Sequence, residues 1–182
     1  MSSDWAMWRA ACEGHEPSAI QLVRRLTPQA MGLARQLLTK PEDAEDVVQE
    51  SFLRLWGARP SETGGAALAT YFNTIVINRC KTWLVRRREL STDPEQLAEW
   101  IDAGPAGCDA SGPAGECLDA RRLQAAMLRL PARQRMALAM WAYADADAAG
   151  IARSLELDTN AAHQLLHRAK AALRRCLQET PS

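Results

Sequence analysis

A chain of 182 residues with 47% apolar residues can bury one moderate core or two small ones, and such a composition excludes disorder throughout. Its 22 Lys and Arg balance 22 Asp and Glu, but unevenly: 12 against 9 over residues 1–88, 0 against 8 over 89–119, and 10 against 5 over 120–182. Overall neutrality therefore leaves a nucleic-acid partner open, because two basic lobes flank an acidic strap.

The five cysteines form no C-x-x-C pair, which argues against a disulfide framework or a cysteine-rich zinc site. The opening M-S-S-D-W-A-M-W lacks the basic start and apolar run of a signal peptide, and no window approaches 18 apolar residues. A cytoplasmic chain with reduced thiols and no membrane insertion is expected.

Almost every periodic segment has helical spacing, and no alternating run rich in Val, Ile and Thr makes a convincing strand. The expected class is all-α: two small helical domains, 1–88 and 118–182, joined by a flexible acidic linker over 89–117. A short first helix follows Ser3 or Asp4 and ends at Gly14. Pro17 opens a longer one to Leu38, bent at Pro28. The third runs from Thr39 to Trp56, with Thr39 as N-cap, Glu42 completing a capping box and Pro41 in the first turn.

That third helix carries two unlike faces. Ala44, Val47, Val48, Ser51, Phe52, Leu55 and Trp56 recur at the spacing of a buried stripe, while Asp43, Glu45, Asp46, Gln49 and Glu50 share the solvated side. An acidic, amide-bearing surface of this kind fits a basic partner. After a loop of composition G-A-R-P-S-E-T-G-G, a fourth helix carries Tyr71, Phe72, Ile75, Val76, Cys80, Trp83 and Leu84 toward Arg86, Arg87 and Arg88.

The Pro, Gly and Ala mixture of 89–117 holds too few large apolar residues to order itself, with one helical turn near Trp100 as the exception. Helical patterns resume at Leu118 to Leu130, Pro131 to Tyr143, Ala146 to Leu155 and Asp158 to Leu177. Only Glu156 and Leu157 separate the last two, a tight turn that suggests a helix-turn-helix with Asp158 capping its second member.

Residues Asp43 to Trp56, D-A-E-D-V-V-Q-E-S-F-L-R-L-W, resemble the polymerase-binding helix of bacterial RNA polymerase sigma factors. Ile75 and Asn78 followed by basic residues resemble the next sigma segment, and L-P-A-R-Q-R from Leu130, I-A-R-S-L from Ile151 and L-H-R-A-K-A-A-L-R from Leu166 resemble the second sigma domain. The chain as a whole is similar to the two-domain sigma factors of the extracytoplasmic-function type. The resemblance implies an alternative sigma factor that binds core RNA polymerase and directs promoter recognition and transcription initiation. Asp43, Glu45, Asp46, Gln49, Glu50 and Arg54 would then meet the clamp helices of the largest subunit.

For the downstream promoter element and its melting, the resemblance implicates the loop from Arg59 to Leu68 together with Tyr71, Asn78, Arg79, Lys81, Arg86 and Arg87. On the recognition helix, Thr159, Asn160, His163 and Gln164 can hydrogen-bond base edges, and His167, Arg168, Lys170, Arg174 and Arg175 can meet phosphates. Several positions depart from the family pattern. Tyr71-Phe72 stands for Trp-Leu, Thr82 for Asp, and Asn160 to Leu165 replaces the usual Gly-Thr-Val-Lys-Ser-Arg. Glu156 takes the place of the turn glycine, at a cost on the order of 1 kcal/mol if it sits at positive φ, and Gly150 replaces a Glu.

An anti-sigma protein is the third expected partner. The altered recognition helix keeps an alternative alive, a sigma-like decoy that occupies an anti-sigma protein without reading DNA. A helix-turn-helix repressor is a further possibility. No nucleophile and base pair, phosphate loop or carboxylate pair emerges, so neither an enzyme nor a cofactor is expected. Asp145, Asp147, Gly150 and Glu156 match a calcium loop only in part, and His163 and His167 have zinc-helix spacing without a third ligand.

Overall fold

The computed structural model describes residues 3–62, 65–87 and 118–178. Arg88, the linker 89–117 and Trp100 lie outside them, as do both chain ends. Among the described residues every regular element is an α-helix: α1 Ser3–Cys12, α2 Glu16–Leu37, α3 Pro41–Ala58, α4 Leu68–Arg86, α5 Leu118–Leu128, α6 Ala132–Tyr143, α7 Ala148–Leu155 and α8 Thr159–Gln178. No helix among them is long and apolar enough to cross a membrane.

Helix α2 starts where His15 accepts the backbone N–H of Ser18 at 3.3 Å through Nδ1, with Pro17 in its first turn, and it continues through Pro28. The expected capping box at Thr39 is not formed. Lys40 is the N-cap of α3, extended at φ −98° and ψ 130°, and contributes no side-chain cap bond. Pro41 explains the shift, because the residue before proline is driven out of the helical region, which makes Lys40 the last non-helical residue. Glu42 and Asp43 then complement the positive end of the helix dipole in the first turn.

The stripe on α3 behaves as its spacing predicts. Ala44, Val47, Val48, Ser51 and Leu55 are buried, with the Ser51 hydroxyl donating to the Val47 carbonyl at 2.7 Å. Phe52 and Trp56 sit at the margin, where Trp56 meets Trp8 edge-on at 5.3 Å and Phe52 lies 4.4 Å from Phe72 of α4. These rings bind α1, α3 and α4 into one aromatic wedge.

In the second half, the guanidinium of Arg135 is buried and donates to the carbonyls of Leu128 at 3.3 Å and Leu130 at 3.0 Å, which caps the end of α5. The Asp147 carboxylate accepts the Gly150 N–H at 2.7 Å and starts α7. Helix α7 ends at Glu156 with φ 56° and ψ 47°, and the Leu157 N–H closes onto the Ala152 carbonyl at 2.9 Å. Asp158 then accepts the Ala161 N–H at 2.8 Å and starts α8. The turn of the helix-turn-helix is thus built with a glutamate in the left-handed region, where glycine would be unstrained.

The two halves share a core. One apolar cluster runs through Trp5, Leu22, Leu33, Val47, Phe72 and Ile77 into Met136, Met140, Ile151 and Leu165. Helix α6 packs on α2 and α4, and α5 packs on α2. A smaller cluster of Met127, Leu130, Leu138 and Ala169 joins α5, α6 and α8.

Candidate functional surfaces

Helix α3 turns Glu45, Asp46, Gln49, Leu53 and Arg54 to solvent. Leu53, at 74% exposure, is an apolar side chain set among the acidic and amide groups. Sequence reasoning passed over it, although the signal was there: it falls off the buried stripe yet is as apolar as the residues on it. Single exposed apolar side chains are ordinary on a protein surface, so Leu53 draws its interest from its place among the acidic and amide groups of this face.

The rest of the acidic face is occupied from within. Glu50 is engaged by Arg79 of α4 and, at 3.8 Å, by Arg54 one turn along α3. Asp43 pairs with Arg87 at 3.3 Å, and the Arg87 guanidinium lies 5.4 Å from the centre of the Trp83 ring. Two residues expected to meet polymerase therefore hold two residues expected to meet DNA. Arg79 has only 12% of its side chain exposed, so its charge is spent on joining α3 to α4.

The outer line of α4 consists of Tyr71, Thr74, Asn78, Val85 and Arg86, all exposed. The Thr74 and Thr82 hydroxyls bond back to the carbonyls of Thr70 and Asn78, both at 3.0 Å, which leaves the Tyr71 hydroxyl, the Asn78 carboxamide and the Arg86 guanidinium as polar groups projecting there. Beneath this helix the Cys80 thiol is buried, and desolvation pushes it up to about 12. The loop before α4 is fixed at both ends to α1: the Trp8 indole N–H donates to Pro60 and that of Trp5 to Ala66, each at 2.9 Å, while Arg9 approaches Glu62 at 3.7 Å. Residue spacing carries no sign of these indole hydrogen bonds.

Lys81 does not face solvent freely either. Its ammonium donates to the Ser154 carbonyl in the last turn of α7, at the negative end of that helix. On α8, Thr159, Asn160, His163, Gln164, His167 and Arg168 are all exposed, while Ala162, Leu165 and Ala169 bury the opposite side. Arg168 donates to the Gln164 carboxamide oxygen at 3.1 Å. Lys170 is half-buried, its ammonium 3.4 Å from the centre of the Trp141 ring, a cation–π contact that joins α8 to α6. Asp147 of the partial calcium pattern serves as the α7 cap.

Comparison with known proteins places this arrangement. The Sigma-70 region 2 model matches residues 22–89 and the Sigma-70 region 4 model matches residues 120–173. The ECF RNA polymerase sigma factor SigM of Mycobacterium tuberculosis is 30% identical over 178 residues, covering 96% of this chain and 85% of its own length. The chain belongs to the ECF RNA polymerase sigma factors. SigG of the same organism is 32% identical over 151 residues, 72% of this chain, but the match spans only 41% of SigG itself. Among solved structures, the Bartonella quintana sigma factor RpoE, in complex with the anti-sigma factor NepR, shares the fold at a TM-score of 0.58 and 19% identity, covering 88% of this chain and 97% of that one.

The region 2 match spans α2 to α4, and the region 4 match spans α5 to most of α8. The family is one of transcription factors and not of enzymes. For an ECF sigma factor, the helix-turn-helix is complete in backbone terms even though its turn and its outward residues differ from the common pattern.

Proposed function

We propose that this protein docks on core RNA polymerase through the outer face of α3 and directs promoter-specific initiation, with residues 1–88 and 118–182 as its two working domains. The observation that carries the reading is the α3 face itself, where Glu45, Asp46, Gln49 and Leu53 stay exposed while the rest of the acidic surface is tied to α4. Basic clamp helices on the largest polymerase subunit fit this face in charge, and Leu53 supplies an apolar anchor among the charged contacts.

Helix α8 presents Thr159, Asn160, His163 and Gln164 for the upstream element, with His167, Arg168 and Lys170 toward phosphate. Tyr71, Asn78 and Arg86 on α4, with the tethered loop before them, take the downstream element. A soluble cytoplasmic protein follows from such work. Run-off transcription with purified core polymerase on a genomic template library tests the reading. Promoter-dependent products that disappear with Asp46→Arg support it, and no product from any template overturns it.

The decoy reading keeps one specific support. No lysine and only one arginine, Arg168, occurs between Thr159 and Ala169, so phosphate contacts on the leading part of the recognition helix are few. An anti-sigma partner would then occupy the chain without initiation, and stable capture of such a partner with no transcription is its signature.

A further inference from the structure

Helix α1 lies ahead of the region 2 match, which begins at residue 22, yet it is joined at two points to the loop between α3 and α4. The Trp8 indole N–H donates to the Pro60 carbonyl at the start of that loop, and the Trp5 indole N–H donates to the Ala66 carbonyl at its end. Three residues apart on α1, the two indoles share one helix face, so a single face holds both ends of the loop. Trp5 is 3% exposed and Trp8 is 2% exposed, so both donors are withdrawn from water and satisfied by the loop.

The loop is held by its main chain. Among its described residues Ser61, Glu62, Gly65, Ala66 and Ala67 are exposed, and Pro60 is half-buried. A loop fastened through its carbonyls keeps its outer side free for another molecule, whereas one fastened by packed side chains would bury them. Each anchored carbonyl also follows a left-handed residue: Arg59 at φ 44° precedes Pro60, and Gly65 at φ 73° precedes Ala66. Left-handed backbone at a residue other than glycine persists where its surroundings over-determine it. At Arg59 those surroundings are its own N–H bond to the Leu55 carbonyl and the Trp8 bond to the next residue.

Helix α1 is in turn fixed from two sides. Asp4 pairs with Arg25 of α2 at 3.1 Å, and the Trp8 ring meets Trp56 of α3 edge-on. The loop thus takes its place from α2 and α3 by way of α1.

We propose that Trp5 and Trp8 are positioning residues for promoter selectivity, holding this loop in the conformation that discriminates among downstream-element sequences. The selectivity rests on the function proposed above, whereas the tether does not.

The test uses the full chain carrying Trp5→Phe and Trp8→Phe together, which keeps an aromatic ring at each site and removes both donors. Leu138→Ala, a truncation of a buried side chain in α6, is the control for stability lost elsewhere. Amide exchange at Glu62, Ala66 and Ala67 should accelerate roughly three- to ten-fold in the double variant and not in the control. Run-off transcription with core polymerase on templates randomised over the downstream element then gives a ratio, product from the preferred sequence over the mean for its single-base variants. That ratio should fall roughly three- to ten-fold in the double variant and stay within about two-fold of the parent in Leu138→Ala. Loss of folded protein lowers every product in proportion and leaves the ratio alone. An unchanged ratio in the double variant, or an equal fall in the control, overturns the positioning role, and unchanged exchange overturns the tether. If the double variant loses its helical circular dichroism, Trp5→Phe alone carries the same test at the Ala66 anchor. No product from the parent on any template overturns the initiation reading and the positioning role with it, and the exchange result then decides the tether by itself.

Discussion

Charge reversal at Asp46 and at Glu50 should separate docking from architecture, because the two acids lie about one helical turn apart on α3 with different neighbours. Glu50 is 43% exposed on its side chain and holds Arg79, which is 12% exposed, with Arg54 3.8 Å away. Glu50→Lys removes a charge-assisted hydrogen bond, for which the low end of about 1.5–3 kcal/mol is appropriate at this exposure. It also sets a third cation beside two guanidinium groups, a repulsion of about 1 kcal/mol in water that grows as solvent is excluded. A loss of about 2–4 kcal/mol follows, and at roughly 2–4 °C per kcal/mol for a chain of this size the melting temperature should fall by about 4–16 °C. Asp46 is exposed, so Asp46→Lys should move stability by no more than about 0.5 kcal/mol. Calorimetry measures both stabilities, and capture of purified core polymerase on the immobilised chain measures docking. Both reversals should weaken capture, and only the Glu50 reversal should lower the melting temperature. The swap Glu50→Arg with Arg79→Glu should recover at least half of the lost stability. A Glu50→Lys protein that melts within about 2 °C of the parent would refute the structural role of the pair, and undiminished capture by Asp46→Lys would refute the docking face.

Glu156→Gly relieves a left-handed backbone at φ 56°, worth about 1–2 kcal/mol, against the loss of an electrostatic contact with Arg133 that contributes under about 1 kcal/mol at this exposure. Denaturant unfolding should show a gain of up to about 1 kcal/mol, and a clear loss would mean that the Glu156 side chain does more than close the turn. Trp5→Phe and Trp8→Phe each leave a loop carbonyl without its indole donor, so amide hydrogen exchange over residues 59–67 should accelerate while α5 to α8 stay protected. Cys80 ionises near 9.0 when unfolded and only near about 12 when folded, so between those values the folded state holds the extra proton and stability falls as pH rises. The slope from this thiol is at most about 1.4 kcal/mol per pH unit. Cys80→Ala should flatten the alkaline limb by that amount, and an unchanged slope would show that the thiol ionises normally in place.

Helix positions and buried faces were legible because they follow from spacing along a single segment. The stripe from Ala44 to Leu55 and the Asp158 cap are of this kind, and so is the strained Glu156, since a turn of two residues between helices leaves few backbone conformations. The start of α3 was misplaced because the N-cap preference of Thr39 was weighed ahead of the stronger steric demand that Pro41 makes on Lys40. Pairings between helices were not legible. Which face of α4 Arg79, Lys81 and Arg87 occupy relative to α3 and α7 depends on how the helices align, and no residue in either segment encodes that alone. A basic residue near a proposed DNA surface and a basic residue bracing two helices look identical in sequence.

The cross-helix pairs Glu50 with Arg79 and Asp43 with Arg87 also bear on how the protein can change over generations. A substitution at either member harms folding unless the other follows, so these positions should drift as couples, with charges exchanging across α3 and α4. In the docking role proposed above, Glu45, Asp46, Gln49 and Leu53 would answer to a different molecule and change only in step with it. One helix would then be under two separate kinds of selection, with the ion pairs to α4 marking the residues that serve the fold.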